Sequence, residues 1–185
     1  MSLSHVDEIA LIERAKQDPD EFVKLYDMYT EAVFRYCYVR TNRDKHRSED
    51  IAQETFLRAF KSIAKFRDQG RPYVAYLYTI ARHILIEKQQ ETVSLEDFQM
   101  NDETAHAVSG GNLRRQDKAE NKAELSILWN RVNDLEYPYS EVLILKYQED
   151  LPNRQIADII GKTEANVKVI AHRALLKLQQ FYVSQ

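Results

Sequence analysis

The chain has 185 residues, one cysteine, four glycines, four prolines and a net charge of −3. A single cysteine excludes an intrachain disulfide framework and a cysteine-built zinc site, and it points to a reducing compartment. No basic stretch leads into an apolar core at the start, and no apolar run approaches the roughly 20 residues of a membrane helix, so a cytoplasmic protein without membrane insertion is expected.

Negative charge argues against a nucleic-acid partner, because binders of the phosphate backbone carry a basic excess. The charge is unevenly spread, however. Residues 1–91 hold 15 basic and 15 acidic groups, 92–150 hold 6 and 12, and 151–185 hold 5 and 2. Only the C-terminal end is positive. Sparse glycine and proline beside plentiful Leu, Ala, Glu, Lys, Gln and Arg predict an all-α fold.

Val6 to Lys16 reads as a short helix. Asp18-Pro19-Asp20-Glu21 supplies a capping carboxylate, a proline suited to the first helical position and acids that complement the helix dipole. Phe22, Leu25, Tyr26, Tyr29, Val33, Tyr36 and Cys37 follow at helical spacing to about Arg40. Ser48 is read as the start of the next helix, with Ile51, Ala52, Thr55, Phe56, Ala59, Phe60 and Ile63 inward. Its other side carries Asp50, Gln53, Glu54, Leu57, Arg58 and Lys61, which is either a solvated face with ordinary i,i+4 pairs or a docking surface.

Gly70 and Pro72 make a loop of Phe66 to Pro72. A helix from about Tyr73 to Glu91 has Val74, Leu77, Ala81, Ile84 and Leu85 on a core stripe and Tyr73, Tyr76, Ile80 and His83 on another. Aromatics so spaced serve a core or a ligand platform. Periodicity fails from Thr92 to Gln116, where polar residues and glycines predict an acidic flexible linker. Two small helical domains follow, residues 1–91 and 117–185. The second opens on a helix from Asp117 to Leu135, with Leu125, Leu128, Trp129, Val132 and Leu135 inward, and a short helix from Pro138 to Tyr147.

Leu151 to Val167 has the pattern of a helix-turn-helix. Ile156, Ala157 and Ile160 face inward, Gly161 suits a left-handed helix end, Thr163 can cap the next helix, and Val167 and Ala171 pack it back. In such units the second helix enters the major groove. Its outward residues here are Glu164, Asn166, Lys168, His172 and Arg173.

These segments together resemble the sigma-70 family, in particular its extracytoplasmic-function (ECF) group. The stretch from Ser48 to Phe60 is similar to that family's polymerase-binding helix, Tyr76 to His83 to the segment before its promoter-melting surface, and Val142 to Tyr147 with the helix-turn-helix to its second conserved domain. The resemblance implies that Asp50, Gln53, Glu54, Leu57 and Arg58 dock on core RNA polymerase. It further implies that the loop from Phe66 to Tyr73, with Arg71, Tyr73, Tyr76, Arg82, His83 and Lys88, meets the melted −10 element of promoter DNA, and that the helix from Thr163 reads the −35 element. An anti-sigma factor is an implied partner, and no cofactor, metal or catalytic residue is expected. The acidic linker would mimic RNA in a polymerase channel.

The sequence also departs from the family. His83 stands in place of asparagine, Gln89-Gln90-Glu91 in place of a basic end, and Val169, Ile170, Leu175 and Leu176 in place of polar residues, which weakens phosphate attraction. A sigma mimic or inhibitor-sequestered sigma-like interaction protein with weakened DNA binding, and a polymerase-independent helix-turn-helix regulator, therefore stay open. Enzyme readings find no support: no glycine-rich phosphate loop occurs, the five histidines lack metal spacing, and Cys37 reads as a packed thiol. A chain that holds its two domains together would hide its DNA surfaces.

Overall fold

The computed structural model describes residues 4–96 and 116–183, and these form helices joined by turns and loops, with no strand among them. The centre of the linker expected at 92–116 lies outside the described residues. Helix α1 spans His5–Ala15, α2 Pro19–Arg40, α3 Lys45–Ser62 and α4 Tyr73–Glu96, whereas α5 spans Gln116–Asn133, α6 Tyr139–Leu143, α7 Asn153–Ile160 and α8 Glu164–Val183.

The expected caps form. The Asp18 side chain accepts from the Asp20 N–H, and Pro19 occupies the first turn of α2. Asp44 caps α3 through the Arg47 N–H at 3.0 Å, so this helix starts three residues before the Ser48 read from the sequence. Asn42 and Arg43 take left-handed conformations just ahead of it, which turns the chain from α2 into α3. Ser48 instead packs inside, where its hydroxyl donates to the Asp44 carbonyl and meets Thr41 Oγ1 at 2.8 Å.

In the N-terminal unit α2, α3 and α4 pack on one another, and α1 lies against α2. Leu25, Val33, Ile51, Ala59, Leu77, Ala81 and Ile84 are fully buried. The aromatic stripe of α4 divides. Tyr73 is wholly buried, with Phe66 at 5.1 Å in edge geometry, while Val74 and Leu85, expected in the core, are only partly covered. Tyr26 and Phe60 are each 40% exposed, at the margin of their helices' apolar faces. Cys37 is packed, and burial pushes its thiol up to about 12.

Glu8 of α1 sets the entry to α4. Its carboxylate accepts the Tyr73 N–H at 3.0 Å and the Tyr29 hydroxyl, and so caps α4 from another element. It is 5% exposed.

The C-terminal unit is built around α8, which packs on α6 and α7. The short helix expected from Pro138 to Tyr147 forms as α6 and then widens into a π-helical turn at Ile144–Gln148. Leu125, expected inward, is 53% exposed, whereas Val132 and Leu135 are buried. The helix-turn-helix forms as read: Gly161 ends α7 at φ 67°, Thr163 Oγ1 accepts the Asn166 N–H at 3.2 Å, and Val167 and Ala171 are buried.

The two units touch through α2 with α5 and with the π-helical turn, and through α4 with α7. This contact is polar at its centre. Arg35 grips Glu149 through Nε and Nη2, at 3.2 and 2.7 Å, and Tyr78 Oη donates to Glu149 Oε2 at 2.5 Å. Tyr36 Oη donates to Glu141 Oε1 at 2.6 Å, and Arg40 Nε lies 3.4 Å from Glu141 Oε2 as an ionic contact outside hydrogen-bond geometry. The side chains of Glu141 and Glu149 are both fully covered. Burial and the neighbouring carboxylates raise the Tyr36 and Tyr78 hydroxyls well above their ordinary range, so both remain donors. Burial opposes the charge on Arg40, but Glu141 and Tyr36 outweigh it.

Candidate functional site

The outward face of α3 is the first candidate surface. Asp50, Gln53 and Leu57 are exposed, Leu57 by 51%. Glu54 and Arg58 are tied more closely. Arg58 Nε donates to Glu54 at 3.0 Å, and the same guanidinium reaches Glu87 of α4 at 2.7 Å. Lys88 completes this network 3.6 Å from Glu54. The i,i+4 pairing that a solvated face would have is therefore present at one end, beside an open strip of acid, amide and leucine. The hydrogen bonds to Glu87 and Glu54 raise the Arg58 guanidinium further, so its charge is permanent.

The second surface is a cavity of about 420 Å³ between the 66–72 loop, the start of α4 and the end of α7. Phe66 and Tyr76 form its aromatic wall, 5.0 Å apart, and the Tyr76 hydroxyl meets Ser62 Oγ at 2.7 Å. Lys65, Arg67 and Arg71 bring three cations to it and Gln69 an amide. The loop is shaped locally: Gly70 is left-handed at φ 73°, and its N–H donates to Asp68 Oδ1 at 2.9 Å. Aromatic faces, an amide and cations in one recess suit an unstacked base and its phosphate.

The expected strand-binding residues do not all gather there. Arg71 and Tyr76 line the cavity. Tyr73 supports it from inside the core and has no exposed surface. Arg82 lies farther along α4, where its guanidinium sits 5.1 Å from the centre of the Tyr137 ring and donates to the Tyr137 hydroxyl at 2.8 Å. His83 is exposed, and Lys88 turns toward Glu54 on the α3 side. Phe66, Arg67 and Gln69 lie in the loop expected to meet the strand, whereas Ser62 and Lys65 were missed as lining residues. The cations spaced along residues 65–71 were the available signal.

The third surface is α8. Glu164, Asn166, Lys168, His172 and Arg173 are all exposed, with Lys168 paired to Glu164 at 3.3 Å one turn back. Of the apolar departures, Ile170 packs against the core, whereas Val169, Leu175 and Leu176 are exposed. Contact between the units thus leaves the α8 face open and places Asp158 and Ile159 on one wall of the cavity. Among the described residues, no group of three or more His, Cys, Asp or Glu could hold a metal, and no helix is long and apolar enough to cross a membrane.

Comparison with known proteins matches Sigma-70 region 2 over residues 25–90 and Sigma-70 region 4 over residues 125–178. The chain is 30% identical over 167 residues to the ECF RNA polymerase sigma factor SigW of Bacillus subtilis, covering 85% of this chain and 87% of SigW. It is 31% identical over 171 residues to the ECF RNA polymerase sigma factor BldN of Streptomyces coelicolor, covering 91% of this chain but 63% of BldN. The sigma factor RpoE of Bartonella quintana, solved in complex with the anti-sigma factor NepR, has the same fold at a TM-score of 0.63 and 21% identity, over 86% of this chain and 95% of that one. Two sigma regions in this order, with relatives alike over most of the chain, place this protein in the sigma-70 family, within its ECF group.

Proposed function

We propose that this chain binds core RNA polymerase and directs it to promoters, acting by binding and not as an enzyme, in the cytoplasm where polymerase works. Residues 1–91 act as the unit that grips polymerase and the melted −10 element, and residues 117–185 as the unit that reads the −35 element. The observation that carries this reading is the exposed strip Asp50, Gln53 and Leu57 on the outward face of α3, lying within the stretch that matches Sigma-70 region 2. A leucine beside an acid and an amide suits a protein partner, because the leucine loses water on contact while the polar groups set register.

Phe66 and Tyr76 hold an unstacked base, and Arg71 with Lys65 holds its phosphates. On α8, Glu164 and Asn166 meet base edges, and Lys168, His172 and Arg173 lie along the phosphates. Selectivity arises when both units engage one DNA at fixed spacing. An anti-sigma factor is the expected negative partner, by analogy with the complex solved for RpoE.

The test is transcription by core polymerase, with and without this protein, from a promoter recovered by selection with the holoenzyme. Initiation that requires the protein supports the reading. Tight core binding with no initiation from any selected DNA would favour a sigma mimic.

A further inference from the structure

We propose that Val169 is a specificity-determining residue of α8, packing against the C5-methyl group of a thymine in the −35 element beside an adenine held by Asn166. This inference rests on the reading of duplex DNA by α8 just proposed.

Tertiary packing sorts the apolar residues of this helix. Val167, Ala171 and Ala174 are buried and Ile170 packs against the core, whereas Val169 is 47% exposed. It sits at the centre of the outward face. Ala165 and Asn166 lie one turn before it and His172 and Arg173 one turn after, all of them exposed, and Lys168 is exposed beside it. Lys168, His172 and Arg173 around one valine suit a polyanion and not an apolar partner.

A valine in the middle of a groove-reading face offers neither donor nor acceptor. The thymine methyl is the apolar group that base pairs display in the major groove, whereas the other bases meet a valine with polar edges that lose water and gain no partner. Branching at Cβ holds the side chain in a strongly preferred rotamer, so the contact is made at small entropic cost. Asn166 is fixed at the start of the same face, where its N–H donates to Thr163 Oγ1 at 3.2 Å. Its side-chain amide matches the donor and acceptor of an adenine edge. Three residues of helix advance about 4.5 Å along the axis, against about 3.4 Å for one base step, so the two side chains address neighbouring pairs.

The test begins with selection by holoenzyme from promoter DNA randomised over the −35 element, which should enrich adjacent A·T pairs. Each −35 thymine of the selected duplex is then replaced with deoxyuridine, which removes only the C5-methyl group, and holoenzyme affinity is read by anisotropy of the fluorescein-labelled fragment. At one position the unaltered chain is expected to lose about threefold in affinity, on the scale of one methyl group returned to water. Val169→Ala should bind the thymine and deoxyuridine duplexes alike. Asn166→Ala should keep the response to the methyl group and lose the preference for adenine at the neighbouring pair. Val169 lies outside the core, so its truncation leaves the fold in place. A selected element without A·T pairs, equal binding of thymine and deoxyuridine at every position, or a full methyl response in Val169→Ala overturns the proposal and leaves α8 as the reader. Selection that enriches no −35 sequence removes the reading by α8 and the proposal with it.

Discussion

The contacts inside each unit and the contact between units are made of different material. Inside the N-terminal unit helices meet through Leu25, Val33, Ile51, Leu77 and Ile84, all without exposed surface. Between units the centre is Glu141 and Glu149 held by Arg40, Arg35, Tyr36 and Tyr78. Apolar burial is non-directional and tolerates small shifts. A covered carboxylate is favourable only while its donors are in place, and water replaces them at little loss once the units part. The difference teaches that the units are bodies held by a separable, geometry-dependent clasp.

The largest expected effect breaks the apolar side of the comparison. Leu77→Ala should lower the unfolding free energy by about 2–5 kcal/mol, measured by urea denaturation, because the fully buried site leaves a cavity. Arg40→Ala attacks the clasp. Were Glu141 to stay covered without its arginine, the loss would be about 3–5 kcal/mol. Separation of the units relieves that cost, so the measured loss should be smaller while small-angle scattering records a larger radius of gyration at unchanged helicity. A full-sized loss with no expansion would mean that the units do not come apart.

Asp50→Ala with Gln53→Ala touches neither kind of contact. It should weaken binding to core polymerase about tenfold, on the scale of about 1.4 kcal/mol, with an unchanged melting temperature. Gly161→Ala probes the C-terminal unit from within. A Cβ there meets nothing within 4 Å, so only the left-handed backbone opposes it, at about 1–2 kcal/mol in a thermal melt. Arg173→Ala, on the open α8 face, should leave stability unchanged and reduce the salt slope of promoter binding by about one. An unchanged slope would exclude a phosphate contact at that position.

Much of this was legible in particular residues. Asp18 with Pro19, Gly161 and Thr163 mark helix ends through chemistry that acts within a few residues, and each performs the expected role. Asp44 was overlooked in favour of Ser48 because both are good caps; packing against Thr41 settled the choice. The α4 stripes were misread for a similar reason. Tyr73 and Val74 fit an apolar face equally well, and the cap from Glu8 with the ring of Phe66 puts Tyr73 inside. On the candidate surfaces, the α3 strip and the α8 face could be read from period alone. The cavity could not, because Ser62, Phe66 and Tyr76 converge from three segments and α7 supplies a wall.

The amino-acid order by itself determined where the helices run, which of their faces are apolar, and that they gather in two stretches, because periodicity and caps act over one or two turns of chain. Only the tertiary structure decided which polar groups are covered. Glu141 and Glu149 look like surface glutamates in sequence, and their partners Tyr36 and Arg35 lie 105 and 114 residues away. A carboxylate becomes part of an interior when donors from distant helices arrive around it together, and no local pattern encodes that arrival.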